Sequence, residues 1–236
     1  MTEWRSLESR FSDTLNLTHR PVAIAFLDSE PGDLQQFKGS RPAGCSFWQI
    51  ASQGLTFYTL PADHYNCAIG SYTHNIELPP DRAGELNETL GLMMNIGYIN
   101  SEEIPGIPRL HTTPAAIIYS PLGETPGDPS VVLFACQPRA AMLLNEAAMR
   151  AGVSAQVPML GRPSCMALPA ALNGGAVGSP GCIGNHVYTG LGSDELYTVI
   201  KGADLSRVAD SLDVIVQANN TLAEYSSNWR QQLCAG

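Results

Sequence analysis

Trp4, Leu7, Phe11 and Leu15 recur at intervals of three and four, the spacing of one helix face, and predict an amphipathic helix over residues 3–16 docked on the body of the protein. The pattern then changes. After Pro21 the run VAIAFL is continuous, short and partly β-branched, which reads as a buried strand closed by the turn residues Asp28 to Asp33. A short helix through Cys45 to Gln53 stops at Gly54, and LTFYTL follows as a second strand. Residues 81–99 carry a helical pattern interrupted by Gly91 and Gly97, and 101–112 read as loop. Beyond Pro114, AAIIYS and SVVLFAC predict strands, separated by the turn-rich PLGETPGDP. Pro138 opens a helix over 138–151 that ends at Gly152. A strand over 153–159, a short helix near 164–172, a glycine-rich loop over 174–184, the strand ELYTVI and a closing helix over 205–232 complete the chain. Strands and helices alternate without a strict βαβ rhythm. The expected class is therefore α+β, with mixed sheets and peripheral helices.

The two halves of the chain echo one another. RPVAIAF, a PGD turn, RPAGC at 41–45 and CAIG at 67–70 are followed in the same order by TPAAIIY at 113–119, PGDP, GRPSC at 161–165 and GCIG at 181–184. This predicts a single domain over 1–236 built from related halves at about 17–100 and 113–204, with helices 3–16 and 205–232 outside. An approximate two-fold between such halves would bring Cys45, Cys67, Cys165 and Cys182 to one point. Cys136, within a strand, and Cys234, near the chain end, fall outside the pattern.

Charge narrows the partners. With 13 basic residues against 22 acidic, the net charge is -9, which repels nucleic-acid and anionic lipid surfaces alike. No apolar run approaches membrane-spanning length, and the opening MTEWRSLESRF lacks the apolar stretch of a signal peptide. The expectation is a cytoplasmic protein with no nucleic-acid or membrane partner and with reduced cysteines. The partners in view are a redox protein or a small molecule, with the oligomeric state open.

Thiolates ligate both zinc and iron-sulfur clusters. Structural zinc sites usually pair their cysteines in knuckles two to four residues apart, and no CxxC occurs here. Four isolated cysteines on separate loops suit a [4Fe-4S] cluster in a redox or regulatory protein, with zinc in a structural module as the alternative. Gly44, Gly70, Gly181 and Gly184 would let backbone N–H groups approach the sulfurs, and Arg162 and His186 would supply nearby positive charge. A third reading is a thiol enzyme, or an enzyme binding a small molecule through loop 174–184, although that loop lacks the Lys-Ser/Thr of a phosphate-binding P-loop. His64 and His74, near Cys67, read as hydrogen-bonding loop residues, and Arg41, like Arg162 a few residues before a proposed ligand, is either a further cation near the sulfurs or part of a solvated Arg-Pro turn.

Together RPVAIAF, Cys45 before a short helix, Cys67 with AIG, PSVVLFACQPRAAMLL, and GRPSC followed by GCIG resemble the bacterial and archaeal domain-of-unknown-function family 169 over about residues 15–205. The resemblance implies kinship of fold and draws attention to Cys45, Cys67, Cys165 and Cys182. It also leads one to expect a longer basic residue a few places after the last of these, where this chain has His186.

Overall fold

A computed structural model describes residues 3–234. Its elements, in chain order, are α1 (Glu3–Leu15), β1 (Val22–Leu27), α2 (Cys45–Ser52), β2 (Phe57–Thr59), α3 (Ala68–Thr73), α4 (Glu85–Asn95) and β3 (Ala116–Pro121). There follow β4 (Val131–Cys136), α5 (Pro138–Arg150), α6 (Ala167–Gly174), β5 (Ala176–Ser179), α7 (Ile183–Thr189), β6 (Leu196–Lys201) and α8 (Leu205–Cys234). The six strands form one sheet in the order β2-β3-β1-β4-β6-β5. Every strand pair is antiparallel, which corrects the expected mixed sheets within an α+β domain.

Successive residues of a strand face opposite sides, and here both sides are covered. Ala23, Val132, Phe134 and Ile200 pack under α1, α5 and the first turns of α8. Val22, Ile24, Val131, Leu133 and Val199 pack under α2 and α6 with Phe47, Trp48, Tyr119 and Leu168. Double-sided burial explains why VAIAFL and VVLFAC are continuous apolar runs with no polar alternation.

The pairing repeats. In the unit β1-α2-β2-α3-β3, Val22 pairs with Pro121 and Leu27 with Ala116. In the unit β4-α5-α6-β5-α7-β6, which adds α5 between its first strand and α6, Val131 pairs with Lys201 and Cys136 with Leu196, the same six-residue register. Edge strands repeat it too: Phe57 opposes Tyr119 and Thr59 opposes Ile117, just as Val177 opposes Val199 and Ser179 opposes Tyr197. The central pair β1-β4 is symmetric about Ala23↔Val132. Topology thus sets the units at 22–121 and 131–201. TPAAIIY therefore closes the first unit and does not open the second; its likeness to RPVAIAF reflects two strands buried on both faces. Gly54 and Gly175, at φ 108° and 93°, occupy matching places at the ends of α2 and α6, where a left-handed turn sends the chain into an edge strand.

Three expectations fail locally. Residues 153–159 are bend and irregular backbone, joined to the sheet by a single bridge from Met159 to Gly178, because the segment is half exposed and Pro158 has no N–H to give a ladder. Part of the predicted glycine-rich loop is instead strand β5, whose four residues are all buried. Gly178 fits there because a Cβ would meet the Met159 side chain at 2.8 Å. The stretch 101–112, expected as loop, begins with a 3₁₀ helix over Ser101–Gly106. At the C-terminus α8 is buried only through Leu212, and Leu222, Tyr225, Trp229 and Leu233 are exposed.

Candidate functional site

Each of Cys45, Cys67, Cys165 and Cys182 stands where a helix begins. Cys45 is the first residue of α2, and Cys67 is the N-cap of α3. Cys165 lies in the 3₁₀ turn that leads into α6, and Cys182 is the N-cap of α7. Cap positions leave backbone N–H groups without helical partners, and at α3 one of these turns toward a cysteine sulfur. Gly70 donates its N–H to Cys67 Sγ at 3.3 Å. Ser164 Oγ accepts the N–H of Cys182 and so ties the two cysteine loops of the second unit together.

All four cysteines line one cavity of about 610 Å³ on the α2/α6 side of the sheet. Gly44, Gly70, Gly184 and Arg162 line it with them. Gly181 and His186, expected beside the sulfurs, do not. His186 bridges the carbonyls of Leu191 and Pro180, at 3.0 Å each, and closes the loop behind α7, with Gly181 packed against its ring. Arg162 sits at the cavity wall, 3.0 Å from Glu103 and over the ring of Tyr98. Cys136 is buried on the opposite, α5 side, and Cys234 is exposed. Arg41 lies over the ring of Phe37, outside the cavity lining.

Burial dominates the electrostatics. It pushes the Cys45 thiol up to about 12; the neighbouring Asn185 side chain opposes the rise, and the charges of Cys67 and Cys182 add to it. Burial likewise raises Cys67, and it raises Cys165 well above an ordinary thiol, to which charge on the other three adds. The sulfurs are near enough to oppose one another's ionisation, so holding several as thiolates requires a compensating cation. That donor set fits a thiolate-ligated metal group: four soft ligands, backbone donors at sulfur, and low solvent access. No three His, Cys, Asp or Glu side chains among the described residues lie close enough together to hold a single ion.

Three groups that sequence reasoning missed or undervalued complete the surroundings. His64 is buried behind Gly44, its Nε2 2.9 Å from Thr59 Oγ1, with Phe47, Tyr119 and His74 around the ring. A Cβ at position 44 would lie 2.9 Å from its Nδ1, which is why glycine precedes Cys45. His74, also buried, lines the cavity; its Nδ1 donates to the Gly70 carbonyl at 2.9 Å and its Nε2 has no partner. Asn185, another buried lining residue, leaves both amide atoms without a geometric partner. Its place three residues after Cys182, matching Gly70 after Cys67, was the available signal.

No curated protein and no solved structure matches the chain. The model of the family described as DUF169, an uncharacterised ArCR, matches residues 10–211, a span that takes in both units and all four cavity cysteines, and the chain belongs to that family.

Proposed function

We propose that Cys45, Cys67, Cys165 and Cys182 hold one [4Fe-4S] cluster and that the protein serves a redox or regulatory role. The observation that carries this reading is the meeting of the four thiols, two from each unit, at a single cavity. Three further features support it. The ligands come singly from four helix starts instead of as a zinc knuckle. Gly44, Gly70 and Gly184 line the same cavity and let backbone come close to a bulky group there. The Gly70 N–H already points at the Cys67 sulfur, which favours its charged form. When bound, such a cluster supplies one-electron chemistry at a potential set by its hydrogen bonds and burial. The chain itself contributes thiolates, amide donors and a wall that keeps water away.

We place the protein in the cytoplasm, where its six free cysteines would stay reduced. No helix among the described residues is long and apolar enough to cross a membrane. The test is iron, zinc and acid-labile sulfide per chain in protein purified without oxygen. About four iron and four sulfide are expected. Serine at any of the four cysteines lowers that content, whereas Cys136→Ser and Cys234→Ser leave it unchanged. One zinc and no sulfide would replace this reading with a structural zinc site.

A further inference from the structure

From Glu77 to Arg109 no residue is buried, although the segment carries many apolar side chains. Leu90 and Met93 on α4, and Ile99, Ile104 and Ile107 beyond it, are half-buried and line the cysteine cavity in place of the protein core. The segment is an arch over the cavity, with an apolar underside.

We propose that this arch and the cysteine floor enclose a binding site for a small, uncharged, mainly apolar molecule bearing a hydrogen-bond donor. Three observations lead there. At about 610 Å³, the space falls in the range of about 300–1,000 Å³ typical of sites for small organic ligands, and it extends from the sulfurs to the arch. Its charged lining residues are already neutralised: Arg162 by Glu103 at 3.0 Å, and Glu85 by Arg82 at 2.6 Å. An anion entering would have to displace Glu103 and shed its own hydration, in a protein of net charge -9. Finally, the buried lining offers polar groups without partners. Because Nδ1 of His74 donates to Gly70, its Nε2 is an acceptor, and burial lowers the ring's proton affinity and keeps it so. An O–H or N–H on the ligand satisfies it, and the Asn185 amide accepts or donates a second bond. The proposal rests on the metal reading only in leaving the sulfurs' end of the cavity to the metal group.

The test is calorimetric titration of anaerobically purified protein with 2-naphthol and with naphthalene-2-carboxylate, probes of similar size that differ in charge. Saturable 2-naphthol binding is expected, with the carboxylate weaker by about tenfold or more. Met93→Arg and Ile104→Arg, on the arch and away from the core, weaken 2-naphthol by a similar factor while iron per chain stays at the wild-type level. Absence of saturable 2-naphthol binding, equal binding of the two probes, or full binding by both variants would overturn the proposal. Iron content is read on the same samples, so a protein that binds 2-naphthol without iron refutes the cluster and leaves the chamber standing.

Discussion

His64 links the fold beneath the site to pH. Its ring is fully enclosed by Phe47, Tyr119 and His74, with Thr59 Oγ1 as its side-chain hydrogen-bond partner. Burial lowers its pKa from 6.5 to about 3, and the neighbouring His74 adds to the effect. As pH falls below 6.5 the unfolded chain takes up a proton that the native ring refuses, so the stability present above 6.5 is lost progressively towards pH 3. The slope approaches about 1.4 kcal/mol per pH unit, or about 2 kcal/mol between pH 7 and pH 5. His74, lowered by burial in the same way, adds to the fall. The interval lies above the usual carboxylate range, so acid titration of Asp and Glu contributes little there. Urea unfolding of metal-free, reduced protein at pH 7, 6 and 5 measures the loss. His64→Phe gives up the bond to Thr59, about 1 kcal/mol at pH 7, and should remove about 2 kcal/mol of the pH-dependent drop. A variant whose stability falls with pH as steeply as wild type would show that His64 is not held neutral by its burial.

Other consequences are local. Gly202→Ala would place a Cβ 1.8 Å from the Pro129 carbonyl oxygen, a backbone atom, and should cost about 3 kcal/mol or more by thermal or urea unfolding. Gly178→Ala meets only the end of the Met159 side chain and should cost clearly less in the same assay. Burial pushes the Cys136 thiol up to about 12, so iodoacetamide at pH 8 should label exposed Cys234 in the native protein and spare Cys136, as read by peptide mass. Truncation after Asn220 removes only exposed parts of α8 among the described residues and should shift unfolding free energy by no more than about 0.5 kcal/mol.

The strands were legible where burial on both faces made them unbroken apolar runs, as in VAIAFL and VVLFAC. β5 was not, because Ala-Val-Gly-Ser has the composition of a loop and becomes a strand only through its pairing with β6 and the close approach of Met159 at Gly178. The order of the cysteines pointed to a shared site, since cysteine, helix, edge strand and second cysteine recur in both units. Its frame was displaced by one strand: local likeness tied β3 to β1, whereas sheet register ties β3 to β6. Arg162 reaches the cavity as its place before Cys165 suggested. His186 follows Cys182 by a helical turn and yet faces the carbonyls of its own loop. Which way a side chain leaves a short helix depends on tertiary packing that spacing does not encode.

What the first unit carries and the second lacks is the arch. Between α7 and β6 the second unit crosses in a short loop, whereas between α3 and β3 the first unit inserts α4 and the 3₁₀ helix. The two ends of that insertion are already joined, since Leu110 donates its N–H to the Thr73 carbonyl and Arg109 lies over the ring of Tyr72. Replacing residues 79–107 with a short Gly-Ser linker should therefore leave the sheet intact. The lost half-buried contacts are partly offset by about 1 kcal/mol of loop-closure entropy recovered on shortening the loop, so the net change in unfolding free energy should stay within about 2 kcal/mol. The cysteines should change far more. With the arch gone, Cys45, Cys67, Cys165 and Cys182 of metal-free protein lose a wall of their cavity, and the burial that raises their pKa falls. Alkylation of those four, followed by peptide mass under native conditions, should accelerate by about tenfold or more, while Cys136 beneath α5 keeps its wild-type rate. Collapse of the variant would place the arch within the folding core, and unchanged labelling of the four cysteines would show that it does not cover them.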